Sequence, residues 1–104
     1  MPMIFVDDER NQLEWREGRG RTVEIADIVV GTDRRTGIGT RLIRRLLEKV
    51  PQDTALIFAI TRISNTVAHL FYEKNGFRIV GRLHEFYRDG GGATESALMY
   101  GLDL

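Results

Sequence analysis

The stretch Val29-Val30-Gly31-Thr32-Asp33-Arg34-Arg35-Thr36-Gly37-Ile38-Gly39-Thr40-Arg41-Leu42 decides how the rest of this chain is read. Before it, Thr22 to Val30 is rich in β-branched residues and reads as a strand. After it the apolar period changes. Ile38, Leu42, Ile43, Leu46, Leu47 and Val50 fall on one stripe of a helix over Gly37 to Val50, which leaves Arg41, Arg44, Arg45 and Glu48 to solvent. Pro51 stands just past the end of that helix, as a stop signal does. A strand therefore passes into a helix across two glycines with two arginines ahead of them. Glycine lets a backbone come close to a ligand and adopt φ angles that other residues resist. The free N–H groups and the dipole of a first helical turn attract an anion. Arg34 and Arg35 add charge-assisted donors suited to phosphate oxygens.

Two common phosphate-binding patterns do not fit. A Walker A loop needs Gly-Lys-Ser/Thr, and here Gly39 is followed by Thr40 and Arg41. A dinucleotide fingerprint wants a third glycine where Leu42 stands. Taken alone, Gly37 and Gly39 are also compatible with a tight strand-to-helix turn that binds nothing.

Working outward, Met3 to Val6 is a short apolar run with strand character, and Leu13 and Trp15 alternate with Glu14 and Arg16 across Asn11 to Glu17. Asp7 to Arg10 is the expected turn between these two strands. Gly18-Arg19-Gly20 breaks the chain before the third. Ala55 to Ile60 is continuously apolar and suits a central strand covered on both faces. Ser64 is placed to cap a second helix over Asn65 to Asn75, with Val67, Leu70 and Phe71 as its buried stripe and Gly76 at the left-handed stop. Phe77 to Tyr87 and Thr94 to Leu102 form a hairpin across Gly90-Gly91-Gly92. The order is β-β-β-α-β-α-β-β: an α/β chain with a mixed sheet and helices packed on it, expected as one domain over residues 1–104.

A second motif follows the glycine turn. Asn65, Ala68, Tyr72, Gly76 and Phe77 stand in Asn-x-x-Ala-x-x-x-Tyr-x-x-x-Gly-Phe. Together with Arg-x-x-Gly-x-Gly after a strand, it resembles the two cofactor-contacting motifs of the GNAT family, the Gcn5-related N-acetyltransferases, in the right order. The resemblance reaches from about Thr22 to Leu104. It implies the GNAT fold, acetyl-CoA as acyl donor, and transfer of the acetyl group to a primary amine by direct attack. By the same resemblance Arg34, Arg35, Thr36, Gly37, Ile38, Gly39 and Thr40 hold the pyrophosphate. The strands on either side of the turn splay to admit pantetheine, with backbone near Val29 and Val30 pairing to it and one strand N–H facing the oxyanion. Asn65 bonds the pantetheine arm or a nearby carbonyl, and Tyr72 protonates the departing thiolate. A phenol stays protonated at neutral pH and is chemically suited to that donation. Taken alone, Tyr72 also reads as a core tyrosine and Asn65 as a helix-start residue.

The resemblance has two departures. The loop from Val30 to Arg34 is slightly shorter than usual, and the family's usual first strand and following helix pair have no counterpart. Those helices normally wall the acceptor site, so the acceptor pocket is expected to be open or completed by a second subunit. A homodimer follows as an expectation.

A primary amine is mostly protonated near pH 7, so its proton needs an acceptor. Glu24 and Asp27 are candidates. Three residues apart on a regular strand, they are expected on opposite faces. Some members of the family carry a glutamate base on this strand, and Glu24 lies near that place. Either carboxylate also reads as a surface charge or half of a cross-strand ion pair.

The bulk numbers bound the rest. The 104 residues carry 42% hydrophobic and 29% charged side chains, ordinary for a soluble globular protein. Lys plus Arg and Asp plus Glu are 15 each, which argues against a dedicated nucleic-acid binder built on Arg34, Arg35, Arg41, Arg44 and Arg45. No apolar run approaches the roughly 20 residues that span a bilayer. The early Asp7-Asp8-Glu9 is unlike a secretory signal, so a cytoplasmic setting is expected. There is no cysteine, and His69 and His84 lie apart without clustered partners, so no metal is expected. The acceptor is a small-molecule or peptide amine that no residue identifies. The alternative to an enzyme is a non-catalytic acyl-CoA-binding or sensor module.

Overall fold

The computed structural model of the chain describes residues 4–8, 11–29 and 37–104, and for residues 4–8, 11 and 38 the backbone alone. The elements run in the expected order: β1 (Ile4–Asp8), β2 (Asn11–Glu17), β3 (Thr22–Val29), α1 (Ile38–Lys49), β4 (Leu56–Arg62), α2 (Thr66–Lys74), β5 (Arg78–Arg88) and β6 (Thr94–Asp103). They form one six-stranded sheet in the order β1-β2-β3-β4-β6-β5. Among the described residues β3 and β4 are the neighbours that pair in parallel, joined by the α1 crossover, while the α2 crossover carries the chain from β4 past β6 to β5. The first hairpin is tighter than expected: Asp7 and Asp8 remain in β1, paired with Gln12 and Asn11.

Both helices pack on the same face of the sheet. Leu13, Trp15, Val23, Ile25, Ile57, Ala59 and Tyr100 point to that face, and Leu42, Ile43 and Leu46 of α1 meet them there with Tyr72 of α2. Leu13, Leu46 and Ile57 have no exposed surface, and each contributes about 1.5–3 kcal/mol by leaving water. Leu47 is 39% exposed and lies off the buried stripe of α1. The opposite face carries Leu56, Phe58 and Ile60 half-buried, and no helix covers it among the described residues. The central strand β4 is thus sealed on one side rather than two.

Helix α2 departs from its expected pattern in two ways. Its cap is Asn65, whose side-chain oxygen accepts from the Ala68 N–H at 3.1 Å. Ser64 is engaged elsewhere, its N–H donating to Glu95 of β6 at 2.8 Å. Val67 and Leu70 are 55% and 63% exposed, and Tyr72 is the buried residue instead. A nine-residue helix at the edge of the core needs only a narrow inward face, and the bulky ring takes it. Replacing Asn65 by Ala should lower stability by about 1 kcal/mol, the usual value of such a cap. Urea denaturation reads this as a lower midpoint at unchanged slope.

Strand β3 is not regular. Glu14 pairs with Asp27 but Trp15 with Ile25, so Ala26 is an extra residue opposite β2. This bulge changes the phase of the strand. Ile25 and Ile28 both pack toward the core, although three residues apart. Glu24 and Asp27 consequently share the open face, not opposite faces as regular alternation predicts.

Candidate active site

The β3–β4 ladder runs from Thr22↔Leu56 to Ile25↔Ala59 and stops there, at the bulge. Beyond it the strands diverge, and the edge of β3 that faced β4 has no strand partner among the described residues. A cleft of about 520 Å³ occupies the divergence, floored by residues 25–28 of β3 and by Ile60 and Thr61 of β4. Gly37, Gly39 and Thr40 of the α1 entry close one end, and the α2 residues Ala68, Phe71 and Tyr72 form a wall. Val67, Leu70 and Lys74 extend that wall outward.

The α1 entry is built to leave its N–H groups available. Gly37 is the residue before the helix, at φ 76°, a conformation that other residues resist. It provides no side-chain cap, and the first turn contains no acidic residue. The first helical bond is Arg41 N–H to Gly37 O at 3.0 Å, so the N–H groups of residues 38–40 precede it. Gly39 has a different reason to be glycine: a Cβ there would lie 2.5 Å from the Phe71 ring, which rests against the first turn of α1.

Tyr72 is held from several sides. The helix ends in a Schellman arrangement, with Gly76 at φ 88°, Gly76 N–H donating to Glu73 O at 3.1 Å and Phe77 N–H to Tyr72 O at 2.9 Å. The Tyr72 ring then packs against Phe77 at 5.1 Å, Phe71 at 5.3 Å and Tyr100 at 5.5 Å. The residue is 5% exposed and lines the cleft. Burial pushes its phenol pKa up, and the charges of Asp27 and Tyr87 add to the shift. It is therefore a neutral donor throughout the physiological range.

The sequence matches the acetyltransferase (GNAT) family over residues 3–77. The chain belongs to that family. Among solved structures, this GNAT chain is similar to a Bacillus subtilis acetyltransferase in complex with CoA, at 26% identity and a TM-score of 0.77, covering 94% of this chain and 71% of that one. It is also similar to a Bacillus anthracis protein assigned as a streptothricin acetyltransferase, in complex with acetyl coenzyme A. There the identity is 28% and the TM-score 0.82, over 91% of this chain and 56% of that one. The ribosomal-protein-S18-alanine N-acetyltransferase of Escherichia coli shares the fold at 20% identity and a TM-score of 0.74, over 97% of this chain and 68% of that one. No curated protein matches the chain.

Within this GNAT frame, Gly37, Gly39, Thr40, Asn65 and Tyr72 meet at the cleft. Val29 lies at the exposed end of β3, opposite Gln12. Val30, Arg34, Arg35 and Thr36 lie outside the described residues, as does the side chain of Ile38. Glu24 lies away from the cleft, with one carboxylate oxygen accepting from Arg16 Nε and Nη2, both at 2.7 Å. Asp27 is exposed, lines the cleft and forms no ion pair among the described residues. The spacing Val23, Ile25, Ile28 carried the signal for this, since apolar residues three apart in a strand mark a bulge. Two residues that the motifs do not reach also belong to the surroundings. Tyr100 stacks on Tyr72, and His69 lies 2.9 Å from the Tyr100 hydroxyl.

Proposed function

We propose that this chain transfers an acetyl group from acetyl-CoA to a primary amine by direct attack within a ternary complex. The observation that carries the reading is the cleft itself. It opens through the sheet beside an uncapped helix entry, with a buried, neutral phenol in its wall. The residues present fit acetyl-CoA. Uncapped N–H groups with no acid in the first helical turn suit a pyrophosphate, and the edge of β3 left without a strand partner among the described residues offers N–H and C=O groups to the amides of pantetheine. The Asn65 side-chain oxygen is spent on the cap, which leaves its amide NH₂ for a carbonyl of that arm. Arg34, Arg35 and Thr36 complete the phosphate grip in this proposal.

The attacking nitrogen adds to the thioester carbonyl, and the oxyanion is met by a backbone N–H at the bulged edge of β3. The carbon–sulfur bond then breaks with Tyr72 donating to the sulfur. We assign Asp27 rather than the Arg16-bound Glu24 to take the amine's proton, directly or through water. Glu24 then acts only on the surrounding field. An ammonium acceptor gives up two protons: one leaves through Asp27 to solvent, and the other balances the proton that sulfur gains from Tyr72, so each turnover releases one proton.

Coenzyme A at about a hundred times its Kd should raise the unfolding temperature by several degrees, through ligand linkage. No shift at millimolar coenzyme A would overturn the cofactor assignment. Thiol release from acetyl-CoA with a panel of amines then tests transfer. The uncovered face beyond Phe58 and Ile60 favours a second reading, an acyl-CoA-binding module that does not transfer, and this predicts stabilisation without thiol release.

A further inference from the structure

We propose that His69 and Tyr100 are positioning residues that aim the Tyr72 hydroxyl into the cleft, a role that rests on the acetyl-transfer reading of that phenol. Of the three rings around Tyr72, Phe71 is its chain neighbour and Phe77 follows at the Schellman turn, so both travel with α2. Tyr100 belongs to β6. It stacks on Tyr72 at 5.5 Å and 26° and so ties that ring to the sheet. Besides this stack, α2 is held by Ala68 and Phe71 packing beside the core, with Tyr72 its one buried residue among those described.

Tyr100 is in turn held by its hydroxyl. His69 Nε2 lies 2.8 Å from the Ile63 carbonyl, and a carbonyl can only accept, so Nε2 carries the hydrogen. In the neutral ring Nδ1 is then an acceptor for the Tyr100 O–H at 2.9 Å, with the Glu73 carboxylate of α2 a second acceptor beside the same hydroxyl. The imidazole thereby braces α2 to β6 on one side and to the β4–α2 turn on the other. That turn is itself pinned to β6. Ile63 N–H donates to Ser96 O at 3.2 Å, and the Glu95 carboxylate accepts from Ser64 N–H at 2.8 Å and from Arg62 at 3.0 Å. Every link from the Ile63 carbonyl to the Tyr72 ring is therefore directional or stacked.

The chain has three tyrosines, so ring-labelled protein gives three assignable sets of signals from Tyr72, Tyr87 and Tyr100. His69→Leu should move the Tyr72 and Tyr100 ring resonances and leave Tyr87 in place. It should lower kcat for acetyl transfer by about 10- to 100-fold, the scale of a slightly misplaced catalytic group, with KM for acetyl-CoA unchanged. His69→Gln should restore both resonances and rate, because its amide can donate to Ile63 and accept from Tyr100. Tyr100→Phe keeps the stack and removes only the hydroxyl. It should reproduce the kcat loss, and the double variant with His69→Leu should be no worse than either single change. Tyr72 resonances unmoved in folded His69→Leu protein, or additive losses, would overturn the proposal. If His69→Leu does not fold, Tyr100→Phe carries the same two readouts. If the wild type transfers no acetyl group, the enzymatic reading falls, and the ring resonances alone decide whether the brace aims Tyr72.

Discussion

Tyr72→Phe should lower acetyl transfer by about 10²- to 10⁴-fold while leaving coenzyme A affinity nearly unchanged. The ring makes the packing contacts and the hydroxyl makes none of them, so the substitution removes the donor and keeps the wall. Burial raises the phenol pKa, which makes Tyr72 a reluctant acid and a dependable hydrogen-bond donor. Its contribution is therefore stabilisation of the sulfur as negative charge develops, with proton transfer following as charge builds. Steady-state kinetics should show the loss in kcat, with the melting-temperature shift from coenzyme A retained. An equal loss in affinity would mean that the hydroxyl serves binding, and full activity would remove Tyr72 from the chemistry.

The second expectation concerns Gly39. Gly39→Ala should weaken coenzyme A binding by about tenfold to a hundredfold, the equivalent of the roughly 1–3 kcal/mol that overpacking costs. The added methyl would stand 2.5 Å from Phe71 Cε1, and the ring's free side is the cleft, so relief comes by swinging into the space the ligand needs. Pairing the change with Phe71→Leu should recover most of the affinity, read by isothermal titration of each variant with coenzyme A. If the pair binds as poorly as Gly39→Ala alone, the glycine is required by the ligand and not by the ring. The two glycines of the turn thus have separate reasons: Gly37 for its left-handed φ, Gly39 for its neighbour.

Much of this was legible from local pattern. The element order follows from periods of two and 3.6 and from Gly76 and Pro51 as stops, and the glycine turn with the Asn65–Phe77 motif pointed to the family. What pattern could not reach was set by contacts distant in sequence. Ser64 is as good a cap as Asn65 until Glu95, 31 residues on, takes both its N–H and its hydroxyl. Val67 and Leu70 look inward by composition, yet Tyr100 on β6 selects Tyr72 for the buried face. His69 looked unremarkable because its partner is also 31 residues away. Asp27 departs from the expected face for a subtler reason, since strict alternation fails once a single residue is unpaired.

That unpaired residue, Ala26, divides β3 into two lengths with different duties. Up to Ile25 the strand is masonry, bonded on both edges. After it the strand is a ledge, bonded on one. The boundary is set by counting and not by chemistry, because Ala26 is exposed and no particular side chain is needed there. Many residues can stand at position 26, but none can be left out. A deletion would restore regular alternation with Asp27 still outward and Ile28 still inward, remove the bulge that ends the β3–β4 ladder, and let β4 zip further along its neighbour. In this fold the cleft is kept open by chain length at one point, so it tolerates substitution far better than it tolerates a change of length.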